Sequence, residues 1–312
     1  MAQVLPINNP VTNSSLVRVQ QRGRTFRLKV LPWLFVLPIL LINFVVIIGP
    51  SLSAIAASFT DWNGIGTAKF IGLDNYQTML TDPDYGAAFL HNLTWLLVFL
   101  TIPIAMALIA ASLLAPIKRG GLLIRTALFI PYVLPSVVTA SIWRNLLSPT
   151  LGIGAALTQI GVVGLDHAFL GDPHTALLTA AFVDNWHWWG FLMVLFLSAM
   201  QSVPPELYDA ARVDGANRWQ EFINVTIPGI RPTLVFMLLM TAIWSFLAFD
   251  YVYILTQGGP AGSSEVLGTL VVKAAIHNQA YGYASTIGLS MAFLAGIVIA
   301  IFTFLRRKGW EI

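Results

Sequence analysis

The chain has 312 residues, 57% of them hydrophobic and only 10% charged, with a net charge of +3. A soluble domain carries about 25% charged residues, so composition excludes an ordinary soluble fold. The absence of cysteine excludes disulfides and thiolate chemistry.

Residues 1–29 are polar and basic and read as a cytoplasmic tail that ends on the anionic inner leaflet. From residue 30 to 312 the chain reads as one membrane domain. A span needs roughly 20 apolar residues, and six runs qualify, at about 31–58, 92–115, 123–146, 176–201, 233–255 and 285–306. The first is too long for a signal-peptide core and reads as an uncleaved anchor. Between the first two spans, Asp61-Trp62-Asn63-Gly64 and Asp82-Pro83-Asp84 are turn signals that suggest a small ordered cap. The fourth run is interrupted by Asp184-Asn185-Trp186-His187. The predicted fold is therefore an all-α, polytopic membrane protein with six transmembrane helices.

Lys and Arg set the orientation. With six spans the termini share one side, and that side holds 14 of the 17 basic residues, leaving Lys69, Arg144 and Lys273 on the other. Basic residues stay cytoplasmic during insertion, so both termini and the 202–232 loop are expected in the cytoplasm.

That loop is polar between two apolar runs. Ser202 is placed to cap a helix, with Pro204-Pro205 in its first turn. A helix is predicted from Glu206 to Asp214, Gly215 permits a sharp turn, and a second helical piece follows over 216–226. Ala210 and Ala211 make a small-residue patch, and Asp209, Arg212, Asp214, Arg218 and Glu221 surround it with charge. The residues alone leave two readings open: a knob that docks into a groove of a soluble protein, and a solvated connector.

The stretch closely resembles the coupling loop of permease subunits of bacterial ATP-binding-cassette importers, whose pattern is roughly Glu-Ala-Ala, three residues, Gly, nine residues, Ile-x-Leu-Pro. Asp209-Ala210-Ala211, Gly215 and Val225-Thr226-Ile227-Pro228 stand at those places, with Asp for Glu and Ile for Leu. The carbohydrate-uptake, maltose-permease-like branch is resembled further by Asp214-Gly215-Ala216, by Trp219-Gln220 and Phe222, and by Phe129-Ile130-Pro131. The run from Phe249-Asp250-Tyr251 to Gly258-Gly259-Pro260 adds to it, as does Phe70-Ile71-Gly72-Leu73-Asp74-Asn75-Tyr76. The resemblance covers about residues 30–306. It implies a multi-pass subunit of the bacterial plasma (inner) membrane. Its partners would be a second homologous permease, two ATPase subunits, an extracytoplasmic solute-binding protein and membrane lipid, with no nucleic acid. Glu206, Asp209, Ala210, Ala211, Asp214, Gly215 and Arg218 would couple to an ATPase subunit.

No Gly-x-x-x-x-Gly-Lys-[Ser/Thr] occurs, so the chain lacks the cradle and lysine that bind ATP phosphates. ATP and Mg are expected on partner subunits, with no cofactor, metal or catalytic residue here. Charged residues inside spans are costly and tend to face cavities, which singles out Asp184, His187 and Asp250. Sugars suit carboxylates and amides beside aromatic faces. The candidate substrate path is Asn185, Trp186, His187, Trp244, Phe246, Asp250 and Tyr253, with Phe246, Asp250 and Tyr253 on one face of a continuous helix. A competing reading places Trp188, Trp189 and Tyr251 as interfacial aromatics. An alternative function is an ion-coupled secondary carrier relaying through Asp184, His187 and Asp250.

Overall fold

The computed structural model describes residues 33–307 except Lys118, Val163 and Leu165. The expected tail 1–29 lies outside the described residues. The chain divides into two units, residues 1–54 and 55–312. In the first, the described residues belong to helix α1 (Trp33–Ala57), whose apolar side chains are exposed, as a lipid-facing helix requires.

The second unit opens with the expected cap. Asn75 donates from Nδ2 to the carbonyls of Ser58 and Thr60 at 2.9 and 2.8 Å, fixing α2 (Asp74–Thr81) against residues 58–60. Helix α3 (Pro83–Leu114) starts where the sequence commands it. The Asp82 carboxylate accepts from the Asp84 amide at 2.9 Å, and Pro83 occupies the first turn. It therefore begins nine residues before the apolar run that announces it.

The third expected span is two helices, α4 (Gly121–Val133) and α5 (Ser136–Leu146), bent by 97°. Pro135 is the cause. The residue before a proline is driven out of the helical region, and Leu134 is extended at φ −74°, ψ 139°. After a short loop helix, α6 (Ile153–Gln159), comes α7 (Ala176–Gln201), which is continuous despite its polar interruption. It bends by 74° into α8 (Pro205–Val213). Helix α9 (Arg218–Gly229) then bends by 74° into α10 (Arg231–Phe246).

The fifth expected span also breaks. Helix α10 stops at Phe246, residues 247–249 are non-helical, and α11 (Asp250–Leu255) starts afresh. The loop after it contains a helix absent from the sequence reading, α12 (Leu267–His277), and the chain ends its described part in α13 (Tyr281–Arg307). Three helices are thus long and apolar enough to cross a membrane alone, and the total reaches six if each bent pair counts as one crossing. The fold is all-α and polytopic, with no strand among the described residues beyond one isolated bridge between Thr60 and Phe70.

The main core is where α3, α7 and α10 meet, around Trp95, Phe196, Leu192 and Met193. Helix α4 crosses α7 closely at Gly190, where a Cβ would lie 2.2 Å from the Leu128 carbonyl oxygen. Small residues let helices approach this way where lipid supplies no hydrophobic drive. A second cluster joins α2, α12 and α13 through Leu267, Leu270 and Ile287.

Candidate functional site

The two helix breaks meet. The Ser136 hydroxyl, at the start of α5, donates to the Asp250 carboxylate at the start of α11 across 3.1 Å. Between the breaks lies a cavity of about 460 Å³, walled by α3, α4, α5, α7, α10 and α11 and by residues 247–249. Ligand sites are typically ~300–1,000 Å³ and polar at a few points. Non-helical backbone at membrane depth is tolerated where it lines such a space or is buried in protein.

Each break is stabilised by a side chain from elsewhere. His187 on α7 donates from Nε2 to the Leu134 carbonyl at 3.2 Å, satisfying an acceptor that Pro135 leaves without a helical partner. Asn92 on α3, fully buried, does the same for the second break. Its Nδ2 donates to the Ser245 carbonyl at 2.8 Å and its Oδ1 accepts the Leu267 amide at 2.8 Å. Next to it, His91 Nδ1 donates to the Glu265 carbonyl at 2.7 Å. Gly268 lets α12 lie against the break, since a Cβ there would meet the Ala248 oxygen at 2.7 Å.

Of the sequence-predicted path residues, the cavity brings together His187, Trp244 and Asp250, along with Asp184. The others stand elsewhere. Asn185 is buried and directs its Nδ2 to the Met106 sulfur at 3.7 Å. Trp186 packs edge-on against Trp143 with centroids 5.5 Å apart. Phe246 ends α10 and is buried away from the cavity, while Tyr253 lies on α11 and lines a separate cleft. The single helical face expected for Phe246, Asp250 and Tyr253 does not exist, because the chain leaves the helix at 247–249. Trp188 and Tyr251, read from the sequence as interfacial, are buried in the cavity wall. Trp188 meets Trp244 with centroids 4.1 Å apart. Sequence reasoning missed Trp95, Tyr132, Ser136 and Thr241, which also line the wall. Pro135 was the one available signal for Ser136.

The second candidate region is the loop after α7. Ser202 does not cap α8; its hydroxyl bonds back to the Ala199 carbonyl at 2.7 Å, closing α7 instead. Helix α8 ends in a paired-bond turn: the Gly215 amide reaches the Arg212 carbonyl at 3.1 Å and the Ala216 amide reaches Ala211 at 2.9 Å. Gly215 sits at φ +80°, a conformation that favours glycine. Asn217 then starts α9 through a reciprocal capping box with Gln220. The inner side of this knuckle is tied down. Tyr208 and Thr226 hydroxyls bond at 3.1 Å, and Phe222, Val225 and Ile227 pack on the main core. Its outer side is open: Val213 is 88% and Trp219 67% exposed. Asp209, Ala210, Asp214, Gly215, Arg218 and Glu206 are exposed and Ala211 is half-buried. Arg212 bridges Glu221 at 2.9 Å and Asp209 at 3.3 Å. The bond to Glu221 raises the Arg212 pKa.

Residues 103–308 match the family described as "Binding-protein-dependent transport system inner membrane component". The chain is 34% identical to the probable ABC transporter permease protein YurN of Bacillus subtilis (strain 168), over 83% of this chain and 90% of that one. It is 30% identical to the multiple sugar-binding transport system permease protein MsmF of Streptococcus mutans, over 88% and 95% of the two chains. A chain in the crystal structure of a bacterial alginate ABC transporter, in complex with an alginate pentasaccharide-bound periplasmic protein, superposes with a TM-score of 0.81. That match is 22% identical and covers 92% of this chain and 98% of that one, a likeness of fold.

Proposed function

The chain belongs to the binding-protein-dependent transport system inner membrane components, as a multi-pass permease of an ATP-binding-cassette importer, and we propose that the solute it passes is a sugar or sugar-like polyol. The streptococcal relative, a multiple sugar-binding transport system permease, supports this, as does a cavity that combines aromatic faces with carboxylates and hydroxyls. The comparisons give no support to an ion-coupled carrier relaying through Asp184, His187 and Asp250.

In this reading the chain forms half of the path and a second permease the other half. Two ATPase subunits carry ATP and Mg, and an extracytoplasmic binding protein delivers the solute. Both termini and the 202–232 loop face the cytoplasm. The knuckle of α8 and α9 seats in a cleft of one ATPase subunit. The observation that carries this is its division into a side bonded to the core and an open side where Val213 and Trp219 have no cover among the described residues. ATP can bias the spans only if the docked surfaces bind differently in the two transport states.

The test is transport by the reconstituted complex. Asp209→Lys and Gly215→Pro are each expected to abolish solute uptake while the ATPase subunits stay folded and hydrolyse ATP at their basal rate. Uptake near wild type in both variants would reject the coupling role.

A further inference from the structure

The cavity wall contains two carboxylates, Asp184 and Asp250, and no lysine or arginine among the described residues. Asp250 is exposed to the opening and holds only the Ser136 hydroxyl. The one imidazole there, His187, spends its Nε2 proton on the Leu134 carbonyl. A third polar group stands ready beside the carboxylates. Thr241 is 1% exposed, lines the cavity, and its hydroxyl has no partner among the described residues. Buried polar groups are as a rule hydrogen-bonded, so a hydroxyl left alone at the wall of a cavity is provision for something that enters it.

We infer that Asp184 and Asp250 make this cavity a charge filter, one that accepts neutral polyhydroxylated solutes and rejects anionic ones such as uronates and sugar phosphates. The inference rests on the reading of the cavity as the solute path. An ionised carboxylate only accepts hydrogen bonds, so Asp250, exposed at the opening, can take protons from sugar hydroxyls, while the half-buried Asp184 exchanges hydrogen bonds with them. Thr241 can give or take one, and the Trp188–Trp244 pair offers rings to the C–H faces. An anionic solute would place a like charge between walls of low dielectric, where repulsion is far stronger than in water. No cation among the lining residues offsets it.

The absence of cysteine permits a direct test of the field. Leu247→Cys places one thiol in this chain at an exposed cavity position, and Leu151→Cys, 91% exposed in the outer loop, is the control. The assembled, nucleotide-free complex is treated with 2-sulfonatoethyl or 2-trimethylammonioethyl methanethiosulfonate, an anion and a cation of similar length. Modification of this chain is followed by mass spectrometry. Each rate is normalised to that of the same reagent with 2-mercaptoethanol. At residue 247 the cation is expected to react at least about tenfold faster than the anion. Asp184→Asn with Asp250→Asn should bring the ratio to within about threefold of one, while the ratio at residue 151 stays near one throughout.

A ratio near one in the parent, a ratio that survives the double substitution, or no modification by either reagent overturns the filter. The path reading fails separately, if full modification at residue 247 leaves sugar uptake unchanged.

Discussion

Replacing Asn92 by Leu tests how the broken spans are held. The side chain is fully buried and bonds two backbone groups at once, the Ser245 carbonyl and the Leu267 amide, each at 2.8 Å. Leucine has a similar branched shape, so it removes both bonds with little change in packing. A buried donor or acceptor left alone costs ~1–3 kcal/mol, so the pair costs roughly 2–6 kcal/mol against local opening. Interhelical hydrogen bonds in membranes average only ~0.6 kcal/mol, because the unfolded chain finds other partners in lipid. That lower figure applies to global unfolding. Local opening of 245–249 and 266–270 has no such substitute.

The assay is hydrogen–deuterium exchange of the whole complex, read on peptides spanning 243–250 and 264–271. At the lower bound of ~2 kcal/mol, exchange at 264–271 accelerates about thirtyfold, while a peptide over α6, distant from the break, stays unchanged. Asn92→Asp keeps the acceptor for Leu267 and loses the donor to Ser245, so it should accelerate 243–250 and spare 264–271. Acceleration below about threefold in Asn92→Leu would refute the claim that this bridge holds the break.

Gly190→Ala drives a methyl to 2.2 Å from the Leu128 oxygen, so α4 must retreat by about 1 Å at ~1–3 kcal/mol; an unchanged melting temperature in detergent would contradict the close crossing. Gly215→Ala meets no atom within 4 Å but holds φ at +80°, so its cost of ~1 kcal/mol is conformational and should speed amide exchange over 210–216 about fivefold. Asp172 accepts the His174 amide at 2.9 Å and pairs with His167 at 2.8 Å. These bonds, the backbone one first, hold its pKa below the ordinary 3.8. A depressed carboxylate stabilises fully at neutral pH and loses that contribution as pH falls through its folded value. Exchange over 167–175, corrected for the intrinsic rate, should therefore rise only below about pH 4, and Asp172→Asn should show the raised exchange already at neutral pH.

Length and greasiness of the runs were enough to reveal the crossings, and turn chemistry marked the Gly215 knuckle and the Asp82 cap. The helix breaks were less legible, for two different reasons. Pro135 could have revealed the first, since Leu134 cannot stay helical before it. The second has no local signal: Leu247-Ala248-Phe249 contains neither Gly nor Pro. It exists because Asn92, 153 residues earlier, offers the Ser245 carbonyl a better partner than another helical turn would. A tertiary hydrogen bond is invisible to periodicity. The same fact explains the misplaced path residues. Phe246 and Tyr253 were assigned by helical spacing across a point where the helix has ended, and Asn185 and Trp186 turn away from the cavity that Asp184 and His187 line on the same helix.

Helix α10 joins the two regions. Its 16 residues make a rod of about 24 Å. One end carries Thr241 and Ser245 in the cavity wall and stops at the break braced by Asn92. The other end starts at the 74° bend after Gly229, where a Cβ would meet the Val203 side chain at 2.7 Å and Ile230 is 1% exposed. The loop cannot absorb a load applied to Val213 or Trp219, because the Tyr208–Thr226 bond and the Val203–Gly229 contact tie both of its limbs to one core. A load on the knuckle therefore passes into α7 and α10 together, the two helices that carry Asp184, His187, Thr241 and Trp244. At the cavity end of α10 the chain has a segment outside any helix, residues 247–249. In the proposed transport cycle this is where displacement at the knuckle becomes a change in cavity shape, and where its solute, if it binds the two shapes differently, acts back on the knuckle with equal coupling free energy.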